Sequence, residues 1–151
     1  AAQLSGTDWG IKLKKDNEDE KPAGYDDIKR YENRERESVS SNIPGAIYKV
    51  TLDDSHPLAF GYPSYYYDLK MNSTVFEFSR DAWNVGVIKK ENQLSGFVGT
   101  NAKSKIKDGT VIGSSDLGRG KVVYFADNPL FRCFWENGKQ LIVNAAFLVG
   151  Q

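Results

Sequence analysis

The chain has little of the residue types that build disulfides and metal sites. Its 151 residues include one cysteine and one histidine. A single cysteine cannot form an intramolecular disulfide, so cysteine usage leaves the redox compartment open. A catalytic zinc ion takes three protein ligands, drawn mainly from histidine, cysteine and carboxylates. We therefore expect no metal site and no other cofactor within these residues.

Net charge and long apolar runs are also missing. Twenty lysines plus arginines balance twenty aspartates plus glutamates, which leaves no net field to attract nucleic acid or an anionic membrane. The longest apolar stretch, residues 141–149, is about half of the roughly 20 residues that cross a bilayer, and Asn144 interrupts it. We expect neither a nucleic-acid partner nor a membrane span.

The composition is that of an ordinary globular domain. Hydrophobic residues make up 40% of the chain and charged residues 26%, close to the average soluble mix. A chain of this length builds one core. The first residues contain neither an initiator methionine nor a signal peptide, which favours a piece of a longer protein.

The N-terminal part of the chain is dense in charge. Residues 12–38 hold few apolar side chains, so they bury little surface to offset the entropy of ordering. We expect residues 1–27 to be a charged, partly mobile segment. A surface helix is predicted to begin at Asp26 or Asp27 and to end near Ser40.

After Gly45 the chain has the alternating, β-branched pattern of strands. The predicted strands are AIYKVTL, YYYDLKM, TVFEFS, NVGVIKK, SGFVG, GTVIGSS and GKVVYFAD. Asn72-Ser73 predicts a hairpin tip between the second and third, and residues 116–120 predict a tight reversal between the last two. A short helix over residues 102–107 would connect SGFVG to GTVIGSS as a small βαβ-like crossover.

The chain ends in a predicted helical region. Asn128 can cap a helix that has Pro129 in its first turn, where the missing N–H costs nothing. A break is predicted at Asn137-Gly138. The helix beyond it has apolar positions on one face, namely Leu141, Ile142, Ala145, Leu148 and Val149. The predicted fold class is therefore α/β, a mixed β-sheet flanked by helices.

Two ring-bearing side chains are candidates for ligand binding. His56 precedes a proline, and its imidazole either hydrogen-bonds across that turn or binds a ligand. Tyr66 belongs to the aromatic cluster of residues 62–67. That cluster either covers a core or, together with Trp83, offers a stacking platform for a sugar or a peptide.

Two polar candidates lie further along the chain. Asn128 and Arg132 fall where the last strand meets the last helix, the crevice in which open α/β sheets bind ligands. Otherwise Asn128 is a cap and Arg132 pairs with Glu136. Cys133 lacks the flanking glycines of a nucleophile elbow and is expected to pack in the core. GSSDLGRGK precedes a strand and has arginine where a phosphate loop needs lysine, so we predict no catalytic residue and no nucleotide site.

Four segments carry a resemblance to a known family: RERESVSSNIPGAIYKVTLDDSHPLAFGYP, DAWNVG, SGFVG and GRGKVVYFADNPLFRCFWENGKQLIVNAAFLVG. Over residues 28–151 the chain resembles the C-terminal part of bacterial M14-like zinc carboxypeptidases. In that family a zinc peptidase domain precedes a module that is similar to class I glutamine amidotransferases, a flavodoxin-like α/β layer. The family's metal ligands and catalytic glutamate belong to the peptidase domain and have no match here.

The resemblance implies a function and a partner. The chain would be a non-catalytic C-terminal accessory module of a secreted or periplasmic zinc carboxypeptidase-like protein, with zinc only in the absent upstream peptidase domain. Residues 28–151 would form a partial flavodoxin-like layer. A fragment of such a layer exposes a parallel sheet edge, which implies a homo-oligomer. The alternative is a small-ligand or carbohydrate-binding α/β module without enzymatic activity.

Overall fold

The computed structural model describes residues 11–14, 24–25, 28 and 30–150. It has a mixed α/β fold built on a five-stranded sheet in the order β2-β1-β3-β4-β5. The strands are β1 Gly45–Leu52, β2 Tyr65–Lys70, β3 Trp83–Phe97, β4 Gly109–Leu117 and β5 Gly120–Phe125. The helices are α1 Arg34–Ser40, α2 Thr100–Lys105 and α3 Glu136–Phe147. The predicted α/β class is confirmed.

All four pairings in this sheet are antiparallel, so the flavodoxin-like layer, which is built on parallel strands, is not confirmed. The predicted reversal between the last two strands is confirmed. Leu117 pairs with Gly120, and Gly118 supplies the positive φ of +60° that the two-residue turn needs. The predicted βαβ-like crossover is wrong, because α2 joins β3 to its antiparallel neighbour β4.

The main core lies on one face of the sheet. Alternate residues of β1 are buried, and they form one cluster with apolar side chains from β3, β4 and α3. A smaller cluster joins Ile11, Phe76 and Tyr124, and the last two rings meet edge to face with centroids 5.0 Å apart. Residues 11–14 of the predicted N-terminal segment thus pack on the domain. Most of the remainder of that segment lies outside the described residues.

Two strand predictions are wrong. NVGVIKK and SGFVG belong to one strand, β3, whose irregular register against β1 lets it continue past the expected break. TVFEFS forms no strand, since Phe76 makes isolated bridges to Leu13 and Thr110. Asn72-Ser73 is therefore not a hairpin tip. The Asn72 side chain instead accepts the Thr74 N–H at 2.7 Å in a local turn.

The connecting helix lies close to its predicted place, but α1 begins at Arg34, later than the predicted start at Asp26 or Asp27, and agrees with the prediction only at its end, Ser40. α1 follows a 3-10 turn at Tyr31–Asn33, whereas the predicted caps Asp26 and Asp27 lie outside the described residues. α2 begins two residues before the predicted 102–107. Within the described part of the chain, no helix combines the length and apolar character needed to cross a membrane.

The last helix is longer than predicted. α3 begins at Glu136 and continues through Asn137-Gly138, so the predicted break is wrong. Of the predicted apolar face, Leu141 and Val149 are buried in the main core. Buried Asn144 joins them, and its side-chain amide donates to the carbonyls of Leu58 and Phe60, both at 2.8 Å. α3 is therefore fixed to the turn after β1 by hydrogen bonds as well as by apolar contacts.

Candidate functional site

His56 lines a cleft of about 300 Å³ at one end of the sheet. It caps the 3-10 turn Pro57–Ala59, and its Nδ1 accepts the Leu58 N–H at 3.1 Å, which is the cross-turn bond predicted from sequence. Burial lowers the pKa of the imidazole, Asp53 opposes this effect, and Lys121 adds to it. The neutral ring, with Nδ1 accepting, carries its proton on Nε2.

Trp83 is the second ring of the cleft. The two ring centroids are 6.3 Å apart with their planes at 50°, and Trp83 is 56% exposed. The other polar groups lining the cleft are Asp53, Ser55 and Lys121. Both rings were candidates from the sequence, but Trp83 was expected to act with the tyrosines of residues 62–67 and not with His56. Only the pairing of β1 with β3 brings them together, and no local pattern specifies that pairing.

Tyr66 is not part of an open aromatic platform. It lies on the core face of β2 and is buried, while the rings of its neighbours Tyr65 and Tyr67 meet on the outer face at an angle of 57°, with centroids 5.3 Å apart. Burial and the charge of Asp68 raise the pKa of Tyr66, and a hydrogen bond with the Trp135 side chain opposes that rise. The tyrosine expected to bind a ligand is thus a core residue in this conformation.

The segment after β5 places the polar candidates on the surface. Asn128 accepts the Leu130 N–H at 3.0 Å, which closes a turn but starts no α-helix. Arg132 lies over the Phe131 ring at 5.2 Å, while Glu136 pairs with Lys139, so the predicted pairing of Arg132 with Glu136 is wrong. Cys133 is exposed, so its predicted core position is also wrong. Arg132 and Cys133 have φ of 48° and 58°, which turn the chain sharply towards α3.

A buried charge cluster joins the two edge strands of the sheet. Alternation along β2 directs Asp68 and Lys70 to the core face, and Asp127 follows β5. Lys70 is 0% exposed; its Nζ donates to Asp127 Oδ2 at 2.6 Å and to the Thr74 carbonyl at 2.8 Å. The sequence analysis named none of these three residues. Lys70 and Asp127 are 57 positions apart, and only the fold makes them neighbours.

One carboxyl of this cluster is held in its neutral form. Burial raises the pKa of Asp68 well above its usual range; the charge and hydrogen bonding of Asp127 raise it further, and Lys70 opposes them. Asp68 Oδ2 and Asp127 Oδ1 are buried and have no hydrogen-bond partner among the described residues. One proton held between the two carboxyls would satisfy both oxygens and would leave one cation balanced by one anion. Perturbed carboxyls are typical of functional sites, but this cluster is buried, so we assign it a structural role.

Asp68→Asn is expected to stabilise the protein at neutral pH. The pKa of Asp68 is raised in the folded protein, so folding favours the protonated carboxyl. The stabilising contribution of that proton is complete at pH values below the pKa of the unfolded chain. Between the unfolded-state pKa and the folded-state pKa it falls by about 1.4 kcal/mol per pH unit. Asparagine at position 68 keeps an N–H donor for Asp127 but does not titrate, so it removes this contribution to the pH dependence of stability. Urea denaturation between pH 4 and 8 should show the variant gaining on the wild type as pH rises.

Asp54→Asn is the control, because Asp54 is exposed. The free energy of unfolding of this variant should depend on pH in the same way as that of the wild type. A constant loss of stability in Asp68→Asn across the whole pH range would show that the two carboxyls do not share a proton.

Among the described residues, no group of three or more histidine, cysteine or carboxylate side chains is placed to hold a metal ion. Comparison with family models, curated proteins and solved structures returned no match for this chain.

Proposed function

We propose that this chain is a non-catalytic accessory module of a secreted or periplasmic bacterial zinc carboxypeptidase-like protein, packed through α3 against the upstream peptidase domain. The observation that carries the proposal is the outer face of α3. Val143 and Phe147 lie one helical turn apart there and are 48% and 69% exposed. Phe60 is also exposed and lies beside the helix, since its carbonyl accepts from Asn144.

Exposed apolar side chains that cluster in this way are typical of interaction surfaces. In this proposal the zinc ion and the catalytic groups belong to the peptidase domain, and contact with that domain would cover Val143 and Phe147. The finer expectation of a partial flavodoxin-like layer remains part of the proposal. The parallel strands of such a layer would have to come from parts of the parent protein outside this chain.

Phe147→Ser is expected to weaken binding of the module to the peptidase domain by about tenfold or more, because it removes a large apolar anchor. The stability of the isolated chain should change little, because Phe147 is mostly in water. In this proposal the peptidase domain would be expressed from the coding sequence upstream of this chain, and calorimetric titration of the two separately purified parts would measure the affinity.

Phe134→Ser is the matched control, since Phe134 is also an exposed phenylalanine, at 58%, but precedes α3. It should leave the affinity within about twofold of the wild type. Absence of a zinc-peptidase motif from the surrounding coding sequence would refute the proposed family. Equal binding by the wild type and Phe147→Ser would refute the proposed surface.

A homo-oligomer is the second part of the proposal. The edge strand β5 pairs with β4 on one side only within the described chain, and an unpaired edge can add a strand from a second copy. The other edge is partly covered, because the side chains of Trp135 and Asn137 donate to the Tyr67 carbonyl. Light scattering at tens of micromolar tests this part, and a stable monomer would contradict it.

A further inference from the structure

The cleft between His56 and Trp83 has the size and the walls of a small ligand site. Its volume of about 300 Å³ lies at the lower end of the range for ligand pockets, roughly 300–1,000 Å³. Trp83 exposes more than half of its surface, and Leu148 from the end of α3 lines the same cleft. A flat indole face is thus available beside an apolar side chain.

The polar groups of the cleft are fixed by bonds within the protein. His56 Nδ1 is engaged by Leu58, which leaves Nε2–H as the ring's free donor. Asp53 Oδ1 accepts from the Ser55 backbone N–H at 3.1 Å and from its hydroxyl at 2.5 Å, so the carboxylate is held in one orientation. The cleft therefore presents oriented donor and acceptor groups beside the indole.

Charge in the cleft does not favour an ionic ligand. The Lys121 ammonium is engaged by Asp116 at 2.5 Å, and burial lowers the pKa of His56, which favours the neutral ring. Asp53 adds one negative charge, which disfavours anions. A peptide strand is disfavoured as well, because β3 lies between β1 and β4 and offers no free edge to an added strand.

We propose that this cleft binds a neutral sugar ring, which stacks on Trp83 and is held by hydrogen bonds to His56 and Asp53. A pyranose has an apolar C–H face that matches the exposed indole. Its hydroxyl groups both donate and accept, which matches the Nε2–H of His56 and the carboxylate of Asp53. No net charge on the ligand is required. The site does not depend on the proposed packing of α3 against a peptidase domain.

Titration of the ¹⁵N-labelled chain with the methyl glycosides of glucose, galactose, mannose and N-acetylglucosamine tests the proposal. At least one glycoside should give saturable shifts at the Trp83 indole N–H and the His56 ring. Trp83→Ala should weaken that binding by about tenfold or more, because the stacking face is lost. His56→Asn, which keeps an acceptor for the Leu58 N–H, should weaken it by about fivefold through the lost donor.

Phe134→Ala is the control, since Phe134 is exposed to a similar degree, 58%, and lies outside the cleft. It should bind the glycoside as the wild type does, and amide spectra confirm that each variant is folded. The proposal is overturned if no glycoside gives a saturable shift up to about 50 mM, a range that includes very weak binding. It is also overturned if Trp83→Ala retains full affinity, or if benzoate or trialanine binds in the cleft and the sugars do not.

Discussion

Lys70→Met is expected to lower the free energy of unfolding by about 3–5 kcal/mol at pH 7, because it leaves the buried Asp127 carboxylate without its cation. Methionine has nearly the same length and fits the space, so the loss comes from charge and not from a cavity. The substitution also removes the donor to the Thr74 carbonyl, 2.8 Å away. Urea denaturation monitored by circular dichroism measures the effect.

The matched control is Lys139→Met. Lys139 Nζ lies 2.5 Å from Glu136 Oε1, nearly the same distance as in the buried pair, but both side chains are largely exposed. An exposed pair contributes at most about 1 kcal/mol. If Lys70→Met and Lys139→Met lowered the free energy of unfolding equally, burial would not increase the cost of removing the cation that pairs with Asp127, and the expectation would be wrong.

The sequence predicted the parts of the fold that depend on local pattern. The alternation in AIYKVTL is the alternation of buried and exposed side chains that β1 shows, because one face of that strand packs on the core. The reversal after β4 was predicted because Gly118 supplies a conformation that other residues rarely adopt. The cross-turn bond of His56 was predicted as well, since it depends on the proline beside it.

The sequence did not predict the contacts between distant parts of the chain. In YYYDLK, an aspartate and a lysine suggest an exposed strand end, yet both are buried because Asp127 reaches them from the far edge of the sheet. Trp83 meets His56 through the pairing of β1 with β3. Such pairings depend on the free energy of the whole core, which periodicity within a short segment does not report.

The wrong prediction at Asn137-Gly138 has a different cause. Asparagine followed by glycine is a strong local signal for a break, and glycine in a helix costs about 1 kcal/mol relative to alanine. The structure has a helix there because Gly138 lets α3 approach the chain before it, with the Gly138 α-carbon directly facing the Pro129 carbonyl. The glycine serves close packing and not chain reversal.

Gly138→Ala is therefore expected to destabilise the protein by about 2 kcal/mol or more, although the same change within an exposed helix would stabilise it. A Cβ at Gly138 would lie 1.9 Å from the Pro129 carbonyl oxygen and 2.7 Å from the carbonyl carbon. Both are backbone atoms, so the clash cannot be relieved by a change of side-chain rotamer. The start of α3 must then move outward, which weakens the hydrogen bond from the Asn137 side chain to the Tyr67 carbonyl.

Gly120→Ala is the control, since the nearest atom to a Cβ at Gly120 would be 3.8 Å away. Urea denaturation should separate the two variants; a Gly138→Ala protein as stable as the wild type would mean that α3 does not pack against Pro129 in solution.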